Sequence, residues 1–164
     1  MSELSREYQN LYNPALGATI LFRFSEGYSK KSNEGVPLPL LFVVLPMIFQ
    51  ERSLAIIAVT NVGLRKFVNR FSEKEYGMTD SILSFPLRVD EMLELSKKSL
   101  QIALLTKMLI LMPSDGILFP GSYKKFDVVL SSDVEKMLQQ AKKFGSWCSQ
   151  LSLFEIENML RVEF

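Results

Sequence analysis

The chain has no histidine and a single cysteine, Cys148, among 164 residues. Histidine is the side chain best placed to move protons near neutral pH, and it is the commonest metal ligand. Its absence removes Ser-His-Asp and Cys-His catalysis and most zinc or iron sites. One cysteine excludes an internal disulfide and fits a reducing cytoplasm. Neither charge sign is in excess: 19 Lys and Arg stand against 18 Asp and Glu, a net charge of +1. Bulk charge therefore gives the chain no address to nucleic acid, and any such role needs a local patch. Gly17, Gly27 and Gly35 form neither the dinucleotide-binding nor the phosphate-loop glycine pattern, so no nucleotide site is expected. A long apolar run is missing too. The longest, Val36 to Phe49, contains Pro37, Pro39 and Pro46 and ends in Gln50-Glu51-Arg52. A membrane-spanning helix needs about 20 apolar residues, so this run is expected in a protein core. Met1 to Tyr8 is polar, and no leader is expected from it.

What is there is apolar side chain. Hydrophobic residues make up 48% of the sequence. With mean hydropathy at +0.13 and almost no net charge, a surface buried against a permanent partner is expected. The length suits one domain, 1–164, with its own core.

The pattern is mainly helical. Asn13-Pro14 reads as a helix cap and first position, and Gly17, Ile20, Leu21, Phe24 and Tyr28 follow the 3.6-residue period to about Ser29. Pro39 opens a second helix through Phe49, kinked at Pro46. Ser53 to Val59 fits a short strand or a helical turn. Thr60 or Asn61 caps a third helix with Leu64, Phe67, Val68 and Phe71 inward. Asp90 opens the longest helix, to about Lys107. Two short apolar runs follow, Met108 to Met112 and Ile117 to Phe119, joined by the turn Pro113 to Gly116. A helix running into a tight hairpin suggests a winged helix-turn-helix core over 12–121, with an incidental hairpin as the alternative. C-terminal helices fill 131–164: one starts at Ser132-Asp133, and the next at Ser152-Leu-Phe-Glu155, which has capping-box spacing.

Little in this frame can do chemistry. Glu91 and Glu94 sit where a helix start favours acids, Glu155 fits a cap, and no two acids share an apolar setting. Cys148 has Lys142 and Lys143 about a turn away but no base, so a buried structural thiol is expected. No catalytic residue, cofactor or metal is expected. The basic pairs are Lys30-Lys31, Arg65-Lys66 with Arg70, Lys97-Lys98, Lys124-Lys125 and Lys142-Lys143. Lys97, Lys98, Lys124 and Lys125 are the candidates for weak phosphate contact beside a wing. No helix face is rich enough in Arg, Asn and Gln to read bases. Tyr8, Tyr12, Phe22, Tyr28, Tyr76, Tyr123 and Phe126 fall at expected loops or helix edges, as interface anchors do. Tyr12, Phe22, Arg23 and Tyr28 on the first helix, and Leu111 and Leu118 in the hairpin, are therefore the candidate partner-binding residues.

Two stretches resemble a known family. Tyr12-Asn-Pro-Ala-Leu-Gly-Ala-Thr-Ile-Leu-Phe-Arg-Phe-Ser-Glu-Gly-Tyr28 and Val36-Pro-Leu-Pro-Leu-Leu-Phe-Val-Val-Leu-Pro-Met-Ile-Phe49 resemble the start of middle-component proteins of prokaryotic three-component ABC systems. Thr60-Asn-Val-Gly-Leu-Arg65 and the Asp115-Gly116 turn fit the same order. The resemblance implies a cytoplasmic, non-enzymatic adaptor between an ABC ATPase of the SMC and Rad50 type and an effector, often a nuclease. It also implies a role in antiviral and anti-plasmid defence, with Lamassu-type systems as relatives. A DNA-binding winged-helix transcriptional regulator is the alternative, and an enzyme of unrecognised type is a third.

Overall fold

The computed structural model describes residues 12–72, 82–122 and 130–164. Helix α1 (Pro14–Ser32) begins as the sequence dictates: the Asn13 side chain accepts the Ala15 N–H at 2.8 Å, and Pro14 takes the first position. It runs past Ser29 to Asn33, whose φ of 59° is left-handed. Asparagine tolerates that conformation, whereas Lys30 and Lys31 suit the last helical turn and its dipole.

Strand β1 (Val36–Pro37) follows, then a 3-10 turn over Leu38–Val43 and helices α2 (Val44–Ile48), α3 (Glu51–Val59) and α4 (Leu64–Ser72). The expected kinked helix from Pro39 to Phe49 is thus two pieces. Pro46 falls in the first turn of α2, where its missing N–H has no helical acceptor to lose. The ambiguous Ser53–Val59 stretch is helical. Thr60 closes α3 instead of opening α4, and Gly63, at φ 113°, turns the chain between them.

A second 3-10 turn (Ile82–Ser84) leads into α5 (Phe85–Glu91) and α6 (Leu93–Leu105). The single helix expected from Asp90 to Lys107 is corrected by this. Pro86 opens α5 earlier, the helix breaks at Met92, and Lys107 lies outside it with φ 57°. The longest helix among the described residues is α1.

Strands β2 (Leu109–Met112) and β3 (Ile117–Pro120) form the expected hairpin, and Gly116 supplies φ 63° in its turn. Strand β1 adds to it, which the sequence analysis did not foresee. The antiparallel order is β1-β3-β2, with Val36 opposite Leu118 and Ile110 opposite Phe119. Helices α7 (Ser132–Cys148) and α8 (Leu153–Leu160) complete the chain. Ser131 caps α7, and Ser152 and Glu155 make both bonds of the capping box of α8. The fold is mainly α, with one small antiparallel sheet.

Helix α1 is the hub, packed on α7, α6, α2 and β3. It crosses α7 at two glycines. A Cβ on Gly27 would lie 1.9 Å from the Lys142 carbonyl oxygen, and one on Gly145 would lie 2.0 Å from that of Phe24. Phe24 meets Phe144 there at 5.3 Å, and Phe67 links Phe71 and Trp147 at 5.5 and 6.3 Å. No single helix among the described residues is long and apolar enough to cross a membrane. The pair Leu38–Ile48 and Glu51–Val59 has the composition but bends by 98°, and Val43 to Ile48 are buried.

Candidate interaction surface

The hairpin alternates, and its parity decides what it offers. Leu109 and Leu118 are buried and Leu111 partly so, all on the face turned to the core. Because side chains opposed across an antiparallel pair share a face, Ile110 and Phe119 point the other way, with Met112 beside them. They are 50%, 37% and 45% exposed. Among the described residues no strand pairs with the outer edge of β2. The result is an apolar sheet face next to an open edge. From Leu109 to Pro120 the hairpin has no Lys or Arg and carries Asp115.

The candidate partner residues divide by burial. Phe22, Tyr28 and Leu118 are 4%, 7% and 0% exposed, so they belong to this chain's own core. The expectation that Phe22 lies off the buried stripe is corrected: α1 is covered on several sides, and only Thr19, Arg23, Glu26 and Lys30 make a narrow outward polar stripe. Arg23 pairs with Glu26 at 2.7 Å. Tyr12 is exposed at the start of α1, with its ring 5.9 Å from Phe49. Leu111 is partly buried on the core side. The outward apolar set is Ile110, Met112 and Phe119, none of them among the candidate partner residues. Period two announced that one face would be free, but not which.

The basic candidates divide too. Lys97 is tied to Glu94 at 2.9 Å on the surface of α6, and Lys98 is exposed beside it. Lys124 and Lys125 lie outside the described residues, as do Tyr8, Tyr76, Tyr123 and Phe126. Two pairs not chosen as phosphate candidates converge instead. Lys30-Lys31 and Lys142-Lys143 line one groove of about 470 Å³ where α1 crosses α7.

Three titratable groups among the described residues bear on the packing. Burial pushes the Cys148 thiol far above its ordinary range. Tyr28 is also raised, first by burial and then by Cys148 and Glu34. Glu155 is lowered, first by the Ser152 backbone N–H and then by its hydroxyl and by Arg65. No group of three or more His, Cys, Asp or Glu among the described residues is arranged to hold a metal.

The family model for Middle Component 3 of ABC-three-component systems matches residues 1–164. The chain belongs to this family. No curated protein and no solved structure gives a significant match. Family membership makes the chain the middle component of an ABC-three-component system, working with the other components.

Proposed function

We propose that this middle component is a non-enzymatic adaptor, joining an SMC-like ABC ATPase to an effector in an antiviral and anti-plasmid defence complex. In this proposal the effector is a nuclease, the complex is related to Lamassu-type systems, and the assembly works in the cytoplasm without a cofactor of its own. The observation that carries the proposal is the outward apolar face of Ile110, Met112 and Phe119 beside an open strand edge. An exposed edge is a template for another strand. Full burial of such side chains contributes about 1.5–3 kcal/mol each. Covering three that are already half-buried therefore offers roughly 3 kcal/mol of association. The unit of α6, β2, β3 and β1 is the wing-like part of the molecule. Because its hairpin lacks basic residues, a protein partner suits it better than a phosphate backbone, which argues against the regulator alternative.

The test is co-expression with the neighbouring ABC ATPase and effector, followed by affinity purification. Wild type co-purifies with both. Ile110→Glu with Phe119→Glu keeps its helical circular dichroism and loses at least one partner. Undiminished co-purification of the double variant would remove the sheet face from the interface. Failure of the wild type to hold either component would end the adaptor proposal.

A further inference from the structure

The convergence of Lys30, Lys31, Lys142 and Lys143 is explained only in part by the fold and not by the adaptor role. The two pairs are far apart in sequence and meet because Gly27 lets α1 press onto the Lys142 backbone. Gly27, Gln139 and Ser146 complete the lining of the groove, and among the described residues no carboxylate lines it, although Glu26 lies 3.8 Å from Lys142. Like charges gathered in one groove repel, and they destabilise a fold that supplies them little counter-charge.

Part of this charge has an internal use. The Lys143 ammonium donates to the carbonyls of Ile57 and Ala58 at 2.8 and 3.1 Å and lies 5.6 Å from the centre of the Trp147 ring. It caps the end of α3 and is structural. Lys142 shares Glu26 with Arg23, at 3.8 Å against 2.7 Å for the arginine, so Glu26 is largely committed elsewhere. Lys30 and Lys31 are exposed, with no hydrogen bond or ion pair among the described residues. Lys142 also borders a second groove with Arg23 and Glu135, and a third with Lys30, Ser29, Glu26 and Pro120. The cations therefore form a strip along α1, not an isolated point.

We infer that this strip binds the phosphodiester backbone of duplex nucleic acid without reading its sequence. The lining favours phosphate on three counts. Its cations are lysines, point charges that neutralise successive phosphates without the fixed bidentate geometry that an arginine fork offers to carboxylate and phosphate alike. No aromatic side chain lines the 470 Å³ groove, so no platform exists there for stacking unpaired bases. Gln139 is a neutral group of the kind that accompanies lysine at phosphate oxygens, whereas the Ser146 hydroxyl is committed to the Lys143 carbonyl at 2.7 Å. Lys97 and Lys98 do not line this site, which meets the hairpin at its Pro120 end. It leaves the sheet face free for protein.

The test is fluorescence anisotropy of a labelled duplex of arbitrary sequence, titrated with the full chain over a range of salt. Three contacts predict that log affinity falls against log salt with a slope of about −2.7. The variant Lys30→Gln, Lys31→Gln, Lys142→Gln loses most of that slope, while Lys97→Gln with Lys98→Gln keeps it. If the triple variant melts early, Lys31→Gln alone carries the test, with a slope flatter by about 0.9. Absence of binding at low salt, an unchanged slope in the lysine variants, or stronger binding to polyglutamate than to duplex would overturn the inference. Co-purification with the ATPase is read in parallel and is expected to survive the triple substitution. Failure here is thereby separated from failure of the adaptor proposal.

Discussion

Gly27 and Gly145 lie where α1 and α7 touch, each with a carbonyl oxygen in the space of a missing methyl group. Neither can take a side chain unless one helix moves, because the obstacle is backbone on both sides. Gly27→Ala is therefore expected to destabilise the chain by about 3 kcal/mol, at the upper end of overpacking costs. A urea titration would show a lower midpoint at unchanged slope, and an unaltered midpoint would refute the close crossing. Cys148 makes a second prediction. Its thiol is fully buried and held neutral by burial, so a thiol reagent should label the native chain only as fast as it unfolds. Rapid labelling under native conditions would contradict that. The same burial sets the alkaline limit. Cys148 and Tyr28 both have folded pKa values above their ordinary 9.0 and 10.0. Their contribution to stability is complete below those values and is lost as pH rises towards the folded ones. Melting temperature should fall from about pH 9 upward, and Cys148→Ala should soften the decline.

Among the elements, α8 depends on its first turn. Ser152 Oγ accepts the Glu155 N–H at 3.2 Å, and Glu155 accepts the Ser152 N–H at 2.9 Å and the Arg65 guanidinium at 3.0 Å. The box thereby ties α8 to α4. Ser152→Ala should cost about 1 kcal/mol, the usual loss for a serine cap. Because Glu155 is lowered below its ordinary 4.5, its share is present above that pH and is lost as pH falls through the folded value. Thermal melts of the wild type and Glu155→Ala should thus converge in acid, because that substitution removes the titrating partner of the Ser152 backbone N–H. A constant difference at all pH values would rule out the reciprocal bond. The sheet makes the contrasting prediction. Leu118→Asp puts a charge into a fully buried position and should unfold the chain. Ile110→Asp changes an exposed position and should leave the melting curve nearly unchanged while weakening assembly.

At the scale of the whole molecule, the two proposals together predict that the apolar sheet face and the lysine strip hold two partners at once. Expressed alone, the chain is expected to self-associate through the uncovered sheet, and light scattering should show this relieved by Phe119→Glu. A monodisperse wild-type monomer at micromolar concentration would mean that the face needs no cover.

The local chemistry of the sequence determined the caps at Asn13 and Ser152, the turn at Gly116, the apolar stripes of α4 and α7, and the middle-component motifs. Each is a matter of a few neighbouring residues and their backbone angles. Short-range signals that competed were misjudged, as at Asp90, where Pro86 and the break at Met92 prevailed. Only tertiary packing decided which parity of the hairpin faces solvent. Alternation is symmetric until α1 packs on one face, which places Leu118 inside and Phe119 outside. Packing also buried Phe22, since a helix enclosed on several sides has no single stripe. It brought Lys30-Lys31 against Lys142-Lys143 as well, because a contact between residues so far apart in sequence exists only once two glycines let the helices cross.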